Sequence, residues 1–322
     1  MNDVRAPLRI GVVGLGRMGQ NHVRVLALLA GVELGFVYDL DPATTAAVAA
    51  RFGAPGVTDL DAALDGIDAV VVASPTTTHD EYVRRLLPRI GAFFVEKPLT
   101  DRLDTSRALG EAIAAHDALL QVGFIERFNP AVQQLKELLD ASQQVVTVDF
   151  ARTNKISARI TDVDVITDLM IHDIDLALHL NGPVSAVAAQ GLAQGPMIDY
   201  ASAYLTHANG RFSRIQASRI TDRKKRSIEA TCLDRFIDCD LLRKEITLSR
   251  QAEEHQQAGG PYRITAIEEK IEVQPGEALL AELNAFISRC RGNAVAHAPA
   301  AAEAIAAMEV CERIRAAILR GA

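Results

Sequence analysis

Up to about residue 122 the chain alternates short apolar runs with stretches whose apolar positions recur at helical spacing. Runs of Val, Ile and Phe without polar alternation belong to strands buried on both faces, as in a parallel sheet. The pattern predicts strands at 8–13 (LRIGVV), 33–38 (ELGFVY), 69–73 (AVVVA), 92–96 (AFFVE) and 118–122 (ALLQV). Helices are expected between them at 18–30, 42–51, 79–89 and 104–115, the last with Asp104 and Ser106 as a polar start. After VGFIERFNP the period shortens to strict alternation, in VVTVDFART (145–153) and in ASAYLTHANGRFSRIQASR (201–219), with Asn209-Gly210 as a hairpin turn. One strongly helical stretch, 163–180, interrupts this antiparallel region, and 277–319 is Ala-rich and helical with a break from Gly292 to Pro299. The expected architecture is an α/β domain with a doubly wound parallel sheet, residues 1–122, followed by an α+β domain, 123–322, with a large, mainly antiparallel open sheet.

The 322 residues are 49% hydrophobic and 23% charged, ordinary for a globular protein of about two domains. A net charge of −7 repels phosphate backbones and anionic membranes, so nucleic acid is not an expected partner. The one basic cluster, Arg223 to Arg226, reads as a solvated turn or a local anion site. No run reaches the ~18 apolar residues of a membrane span and no early segment has the form of a signal peptide, so a cytoplasmic location is expected. Cys232, Cys239, Cys290 and Cys311 are too scattered for a disulfide scaffold or a Cys-x-x-Cys knuckle and are expected to pack as reduced thiols. The alanine run at 300–307 is expected to be long helix rather than low complexity.

RIGVVGLGRMGQNHVRVL carries Gly14-x-Gly16-x-x-Gly19 between the first strand and the first helix, with Arg17 and Met18 in the loop. Three glycines alone would mark only a turn. Here Asp39 ends the next strand, 20 residues beyond Gly19, which completes a dinucleotide fingerprint. Gly14 permits the tight turn, Gly16 the approach of a pyrophosphate, and Gly19 the packing of helix on strand, while the helix N-terminus offers its unpaired N–H groups to the anion. Asp39 would accept hydrogen bonds from the adenosine ribose and repel a 2′-phosphate, which selects NAD over NADP, with Arg17 as a small counterweight. FVEKPLTD then sets Glu96, Lys97 and Pro98 at the carboxyl end of a strand, where ligands of doubly wound sheets bind. A lysine there suits proton transfer or a hydrogen bond to a reacting hydroxyl; a surface lysine at a strand end is the plain alternative. Asp168 and His172 are four apart in DVDVITDLMIHDIDLALHL, so on a helix they share one face, with an ordinary helix histidine as the alternative. Asp168, His172, Asp175 and His179 fall near one stripe, but one helix seldom supplies a whole coordination shell, so no metal is expected. Asp173 and His179 are expected at solvent or at an interface.

Together the glycine fingerprint, Glu96-Lys97-Pro98, ASPTTTHDEY and VGFIERFNP resemble the glucose-fructose oxidoreductase / inositol dehydrogenase / MocA family over almost the whole chain. That resemblance implies a first domain that binds a nicotinamide cofactor and a second that supplies the substrate site and oligomer contacts. It implies a catalytic Lys97, a cofactor contact from Glu96, and an Asp168–His172 pair on the first helix of the second domain. The family's Thr-Pro-Asn-x-x-His loop appears as Ser74-Pro75-Thr76-Thr77-Thr78-His79, which keeps the proline and histidine without the asparagine, so Ser74, Pro75, Thr76 and His79 are expected beside the cofactor. ERFNP, DLMIHDID and RTNKISAR look most like the branch that oxidises the 3-hydroxyl of UDP-N-acetylglucosamine. A diphosphate needs cations, and Arg152, Lys155 and Arg159 lead into the His172 helix, with Arg127 and Asn129 at the segment joining the domains. The expected activity is therefore NAD-dependent oxidation of a sugar hydroxyl, with either Lys97 or His172 as the base. The alternatives are a free-sugar or inositol dehydrogenase and a non-catalytic NAD-sensing protein. An apolar sheet face is costly to expose, so a homo-oligomer, dimer or tetramer, is expected.

Overall fold

The computed structural model describes residues 6–155, 163–195, 197–251 and 266–321. The chain divides into two compact units, residues 1–125 with 278–306 and residues 126–277 with 307–322. This differs from the contiguous division expected from the sequence: the helix Ala278–Cys290 and the start of the helix Ala301–Gly321 belong with the first unit. Leu279, Leu283, Phe286 and Ile287 bury one face of Ala278–Cys290 against Ile10, Val12, Phe94 and neighbours, so the apolar stripe of that helix completes the first core.

In the first unit, β1 (Leu8–Val13), β2 (Val32–Tyr38), β3 (Ala69–Val72), β4 (Ala92–Glu96) and β5 (Leu119–Gly123) form an all-parallel sheet in the order β2-β1-β3-β4-β5. All four residues of β3 are buried, which is why that strand shows no polar alternation. The crossover helices are α1 (Arg17–Leu26), α2 (Pro42–Phe52), α3 (His79–Leu86) and α4 (Leu103–Ala115). Asp41 caps α2 by accepting from the N–H groups of Ala43 and Thr44, with Pro42 at the first helical position. α3 stops at Leu86, short of the expected Arg89: Leu87 keeps helical backbone at φ −53° and ψ −35°, but Pro88 has no N–H with which to continue the ladder. The chain runs from β1 to β2 on one side and to β3 on the other, which puts the switch point of the sheet between β1 and β3.

In the second unit, α5 (Pro130–Asp140) precedes β6 (Val145–Lys155), and α6 (Ile171–Asn181) precedes β7 (Val184–Gln194), β8 (Met197–His207), β9 (Phe212–Ser218), β10 (Ile220–Cys232), β11 (Phe236–Asp240), β12 (Glu245–Gln251) and β13 (Ala266–Ile271). The sheet order is β13-β12-β11-β10-β6-β9-β8-β7, antiparallel except where β6 runs parallel to β9. α5 packs on β11 and β12, and α6 on β6 and β9. Along β8, Ala201, Ala203 and Leu205 are buried while Tyr204 and Thr206 face outward, the alternation that marked this strand in the sequence. Asn209-Gly210 makes the predicted turn, with Gly210 at φ +84°.

Candidate active site

A cavity of about 570 Å³ opens at the carboxyl ends of the parallel strands. Gly14, Asp39, Ser74 and Glu96, which line it, follow or end β1, β2, β3 and β4 in turn. Gly14 has φ +87°, and a Cβ there would stand 2.4 Å from the Ser74 nitrogen, so the loops after β1 and β3 touch at the switch point. A Cβ on Gly19 would sit 1.8 Å from the Gly14 carbonyl oxygen, which fixes how closely α1 approaches β1. Gly16 differs, for a Cβ there would meet nothing within 4 Å. It is the N-cap of α1 and no side chain caps that end, so the first N–H groups of α1 lie beside open space.

The Asp39 carboxylate is aimed by its backbone contacts, Oδ2 accepting from the Leu15 N–H at 2.7 Å and Oδ1 from the Asp41 N–H at 3.0 Å. Each oxygen retains a lone pair for a further donor. Across the cavity, His79 is buried and joins two loops: Nε2 lies 2.9 Å from the Ser74 carbonyl oxygen and Nδ1 3.1 Å from that of Pro98. Burial pushes the His79 pKa below its ordinary value, against the pull of those carbonyls. Thr78 Oγ1 donates to the Pro75 carbonyl at 2.7 Å, closing the turn that presents Thr76. Glu96 lies 2.7 Å from His22 Nε2, and its other oxygen accepts the Lys97 N–H at 3.2 Å. The Lys97–Pro98 peptide is cis.

In the second unit, Asp168 and His172 are both half-buried. The segment is not uniform α-helix as expected: Ile166–Met170 forms a π-helical turn, closed by the Ile171 N–H donating to the Ile166 carbonyl, and α6 follows. Such turns are rare and concentrate at functional sites. Asp164 starts the turn, accepting from the Thr167 N–H at 3.0 Å and from Arg315 Nε at 2.8 Å. Burial pushes the Asp164 carboxyl up, but the Arg315 guanidinium outweighs it and holds the group below the usual carboxylate range. Two further arginines grip α6 just past His172. Arg152 binds Asp173 through Nε at 2.9 Å and Nη2 at 2.8 Å, and Arg127 binds Asp175 through Nε at 2.8 Å and Nη2 at 2.6 Å.

Comparison with known proteins decides the family. Residues 8–124 match an oxidoreductase family with an NAD-binding Rossmann fold, and residues 133–235 match the GFO/IDH/MocA C-terminal domain. The chain belongs to the GFO/IDH/MocA family. It is 31% identical over 310 residues to UDP-N-acetylglucosamine 3-dehydrogenase of Acidithiobacillus ferrooxidans, covering 94% of each chain. A solved structure of UDP-N-acetylglucosamine 3-dehydrogenase from the same species superimposes with a TM-score of 0.86 at 26% identity over 98% of each chain. Inositol 2-dehydrogenase of Rhizobium meliloti is 31% identical over 229 residues, 66% of this chain and 69% of its own.

NAD is the cofactor of the first unit, and the cavity fits it: the glycine cradle stays open at Gly16, where a side chain would fill it, and the Asp39 carboxylate on its wall keeps lone pairs for a further donor. Of the residues the sequence assigned to the cofactor, Gly14, Gly16, Met18, Asp39, Ser74, Pro75, Thr76, His79, Glu96 and Lys97 line the cavity. Gly19 lies beneath the turn, and Arg17 is exposed and outside the lining. Leu40, Ala73, Thr78 and Tyr82 line it as well and were missed. Leu40 carried a signal, a large apolar residue directly after the aspartate that closes the fingerprint; it is 74% exposed.

The substrate-side assignments divide. Arg127 and Arg152 are 6% and 2% exposed, and their donors are engaged by Asp175, Asp173 and Glu126, so neither stands as a solvent-facing cation for a diphosphate. Asn129 caps α5 by accepting from the Ala131 N–H and donates to Glu126, a structural role. Asp173, expected at solvent or an interface, is buried on Arg152. Lys155 is exposed and pairs with Asp222 at 2.5 Å. Arg159 lies outside the described residues. Among the described residues, no group of three or more His, Cys, Asp or Glu side chains is arranged to hold a metal ion.

Proposed function

We propose that the protein oxidises the 3-hydroxyl of UDP-N-acetylglucosamine to a 3-keto nucleotide-sugar, with NAD as acceptor. Coverage carries this choice of substrate. At the same 31% identity, the sequence match to the UDP-N-acetylglucosamine enzyme extends over 94% of both chains, while the sequence match to the inositol enzyme covers about two thirds. Bound NAD supplies the hydride acceptor. The substrate C3–H bond breaks as a hydride departs, and the O3–H proton must go to a base of the chain.

We assign that proton to His172, whose residue type titrates near neutrality, with Asp168 one turn before it orienting the ring or binding a neighbouring hydroxyl. Lys97, at the β4 end of the NAD cavity, donates to the substrate oxygen as it becomes a carbonyl, so charge is stabilised where it develops. The positive charge a diphosphate requires would come from exposed Lys224, with Lys155 and Lys225 exchanging their solvent-accessible partners Asp222 and Glu229 for the ligand. We further propose a homo-oligomer, since Leu192 and Tyr204 on the large sheet remain 47% and 44% exposed in a single chain. A cytoplasmic location belongs with this activity, because NAD and UDP-sugars are cytoplasmic metabolites.

Thermal unfolding in UDP, UDP-N-acetylglucosamine and myo-inositol tests the substrate class. A ligand at a hundred times its Kd stabilises by about 2.7 kcal/mol, so UDP should raise the Tm by several degrees and myo-inositol should not. Stabilisation by myo-inositol with none by UDP would move the assignment to a free-polyol dehydrogenase.

A further inference from the structure

His22 lies on α1 with no exposed surface, and its ring meets Phe94 edge-on at 5.0 Å. Its Nε2 is 2.7 Å from Glu96 Oε1, while its equally buried Nδ1 has no hydrogen-bond partner among the described residues. A proton on Nδ1 would be a buried donor left unpaired, at a cost of ~1–3 kcal/mol, so the proton belongs on Nε2 and points at Glu96. The carboxylate is confined on its other side too. Glu96 Oε2 accepts the Lys97 N–H, and a Cβ on Gly123 would stand 3.0 Å from it, so only glycine leaves the carboxylate its full space.

This fixed carboxylate lines the NAD cavity beside Lys97. Asp39 follows β2 and Glu96 ends β4, three strand positions apart, or about 14 Å across the sheet edge. With the adenosine ribose at Asp39, the Glu96–Lys97 end receives the nicotinamide. The oxidised ring carries a positive charge that reduction removes. A negative charge held beside it stabilises one redox form and not the other.

We propose that Glu96, anchored by His22, selects the oxidised cofactor, binding NAD+ in preference to NADH and so promoting release of the reduced product. Glu96 acts on the ring directly; His22 is a positioning residue. The inference rests on the NAD site alone and is independent of which sugar is oxidised.

Equilibrium titrations without sugar test it, with NADH followed by its fluorescence and NAD+ by calorimetry. In Glu96→Gln the ratio Kd(NADH)/Kd(NAD+) should fall about tenfold, mostly through weaker NAD+ binding, as expected for loss of a unit charge several ångströms away in a partly solvated wall. His22→Phe keeps the ring and removes the donor, and should lower the ratio by a smaller factor. His22→Gln offers an amide N–H near the Nε2 position and should hold the ratio within about twofold of the parent. An unchanged ratio in Glu96→Gln, or equal weakening of both forms, overturns the proposal. An unchanged ratio in a His22→Phe protein that melts like the parent overturns the part given to His22. Should that variant fail to fold, Glu96→Gln still decides the proposal.

Discussion

Asp173 and Arg152 form a buried bidentate pair one residue beyond His172 in the chain. The same guanidinium reaches Glu126 through Nη1 at 3.0 Å, so one arginine from β6 is shared by two carboxylates from separate elements, with Arg226 at 3.6 Å as a second cation for Glu126. Burial pushes the Glu126 carboxyl up, and Arg152 outweighs it and brings the group below its ordinary value. Arg152→Met would strand Asp173 in the interior and leave Glu126 with Asn129 and the more distant Arg226. Loss of ~3–5 kcal/mol of stability is expected in urea denaturation, and Arg152→Met/Asp173→Asn should recover part of it by removing one stranded charge. A loss below about 1 kcal/mol would show that the site admits water freely.

The second and third glycines of the fingerprint should fail differently. Gly16→Ala meets no protein atom, so folding should be unaffected while the methyl occupies the pyrophosphate approach. A parental Tm with NAD affinity reduced about tenfold or more is expected. Gly19→Ala drives its Cβ into the Gly14 carbonyl, and should lower the Tm as well as the affinity. Calorimetric melting beside NAD titration separates the two.

Asp39 is the residue to which we assign the choice between NAD and NADP. Replacing it by Ser removes the charge that a 2′-phosphate would meet, while Arg17 remains nearby in sequence. The NAD to NADP preference in kcat/KM should drop by about ten- to a hundredfold, the effect of removing one charge repulsion at a binding surface. A preference that stays unchanged would place the discrimination elsewhere in the cavity.

Asp164 makes stability depend on acid. Its folded-state pKa lies below the ordinary 3.8, so the unfolded chain takes up the proton first as pH falls. The stabilisation is therefore complete above 3.8 and is lost as pH drops through the lower, folded-state value. Asp164→Asn should lose ~1.5–3 kcal/mol at neutral pH, from hydrogen bonds to Arg315, and show a shallower decline in acid. Denaturant midpoints measured from pH 7 to pH 2.5 check both parts.

The first sheet was legible because burial on both faces erases polar alternation, and the ends of its strands and its glycine turn follow directly from local chemistry. The cavity lining was legible in part for the same reason: Gly14, Asp39, Ser74 and Glu96 follow or end strands that the pattern had already located, while Thr78 and Tyr82 lie further along the chain from any strand end. Arg127 and Arg152 were not. A cation's neighbours in sequence do not reveal whether it is solvated, and their partners Asp175 and Asp173 stand 48 and 21 residues away. Helical periodicity also gives no address, so nothing in residues 278–290 told that their apolar face completes the first core. The π turn at Ile166–Met170 depends on a shift of hydrogen-bond register that composition does not encode.

Deuterium at C3 of UDP-N-acetylglucosamine gives the most direct measurement. Incubation of the protein with this substrate and NAD, followed by mass spectrometry of the cofactor, should yield NADH that carries the deuterium, with the 3-keto nucleotide-sugar beside it. NADH without the label, or no NADH formed while the folded protein binds NAD, would contradict oxidation at that carbon.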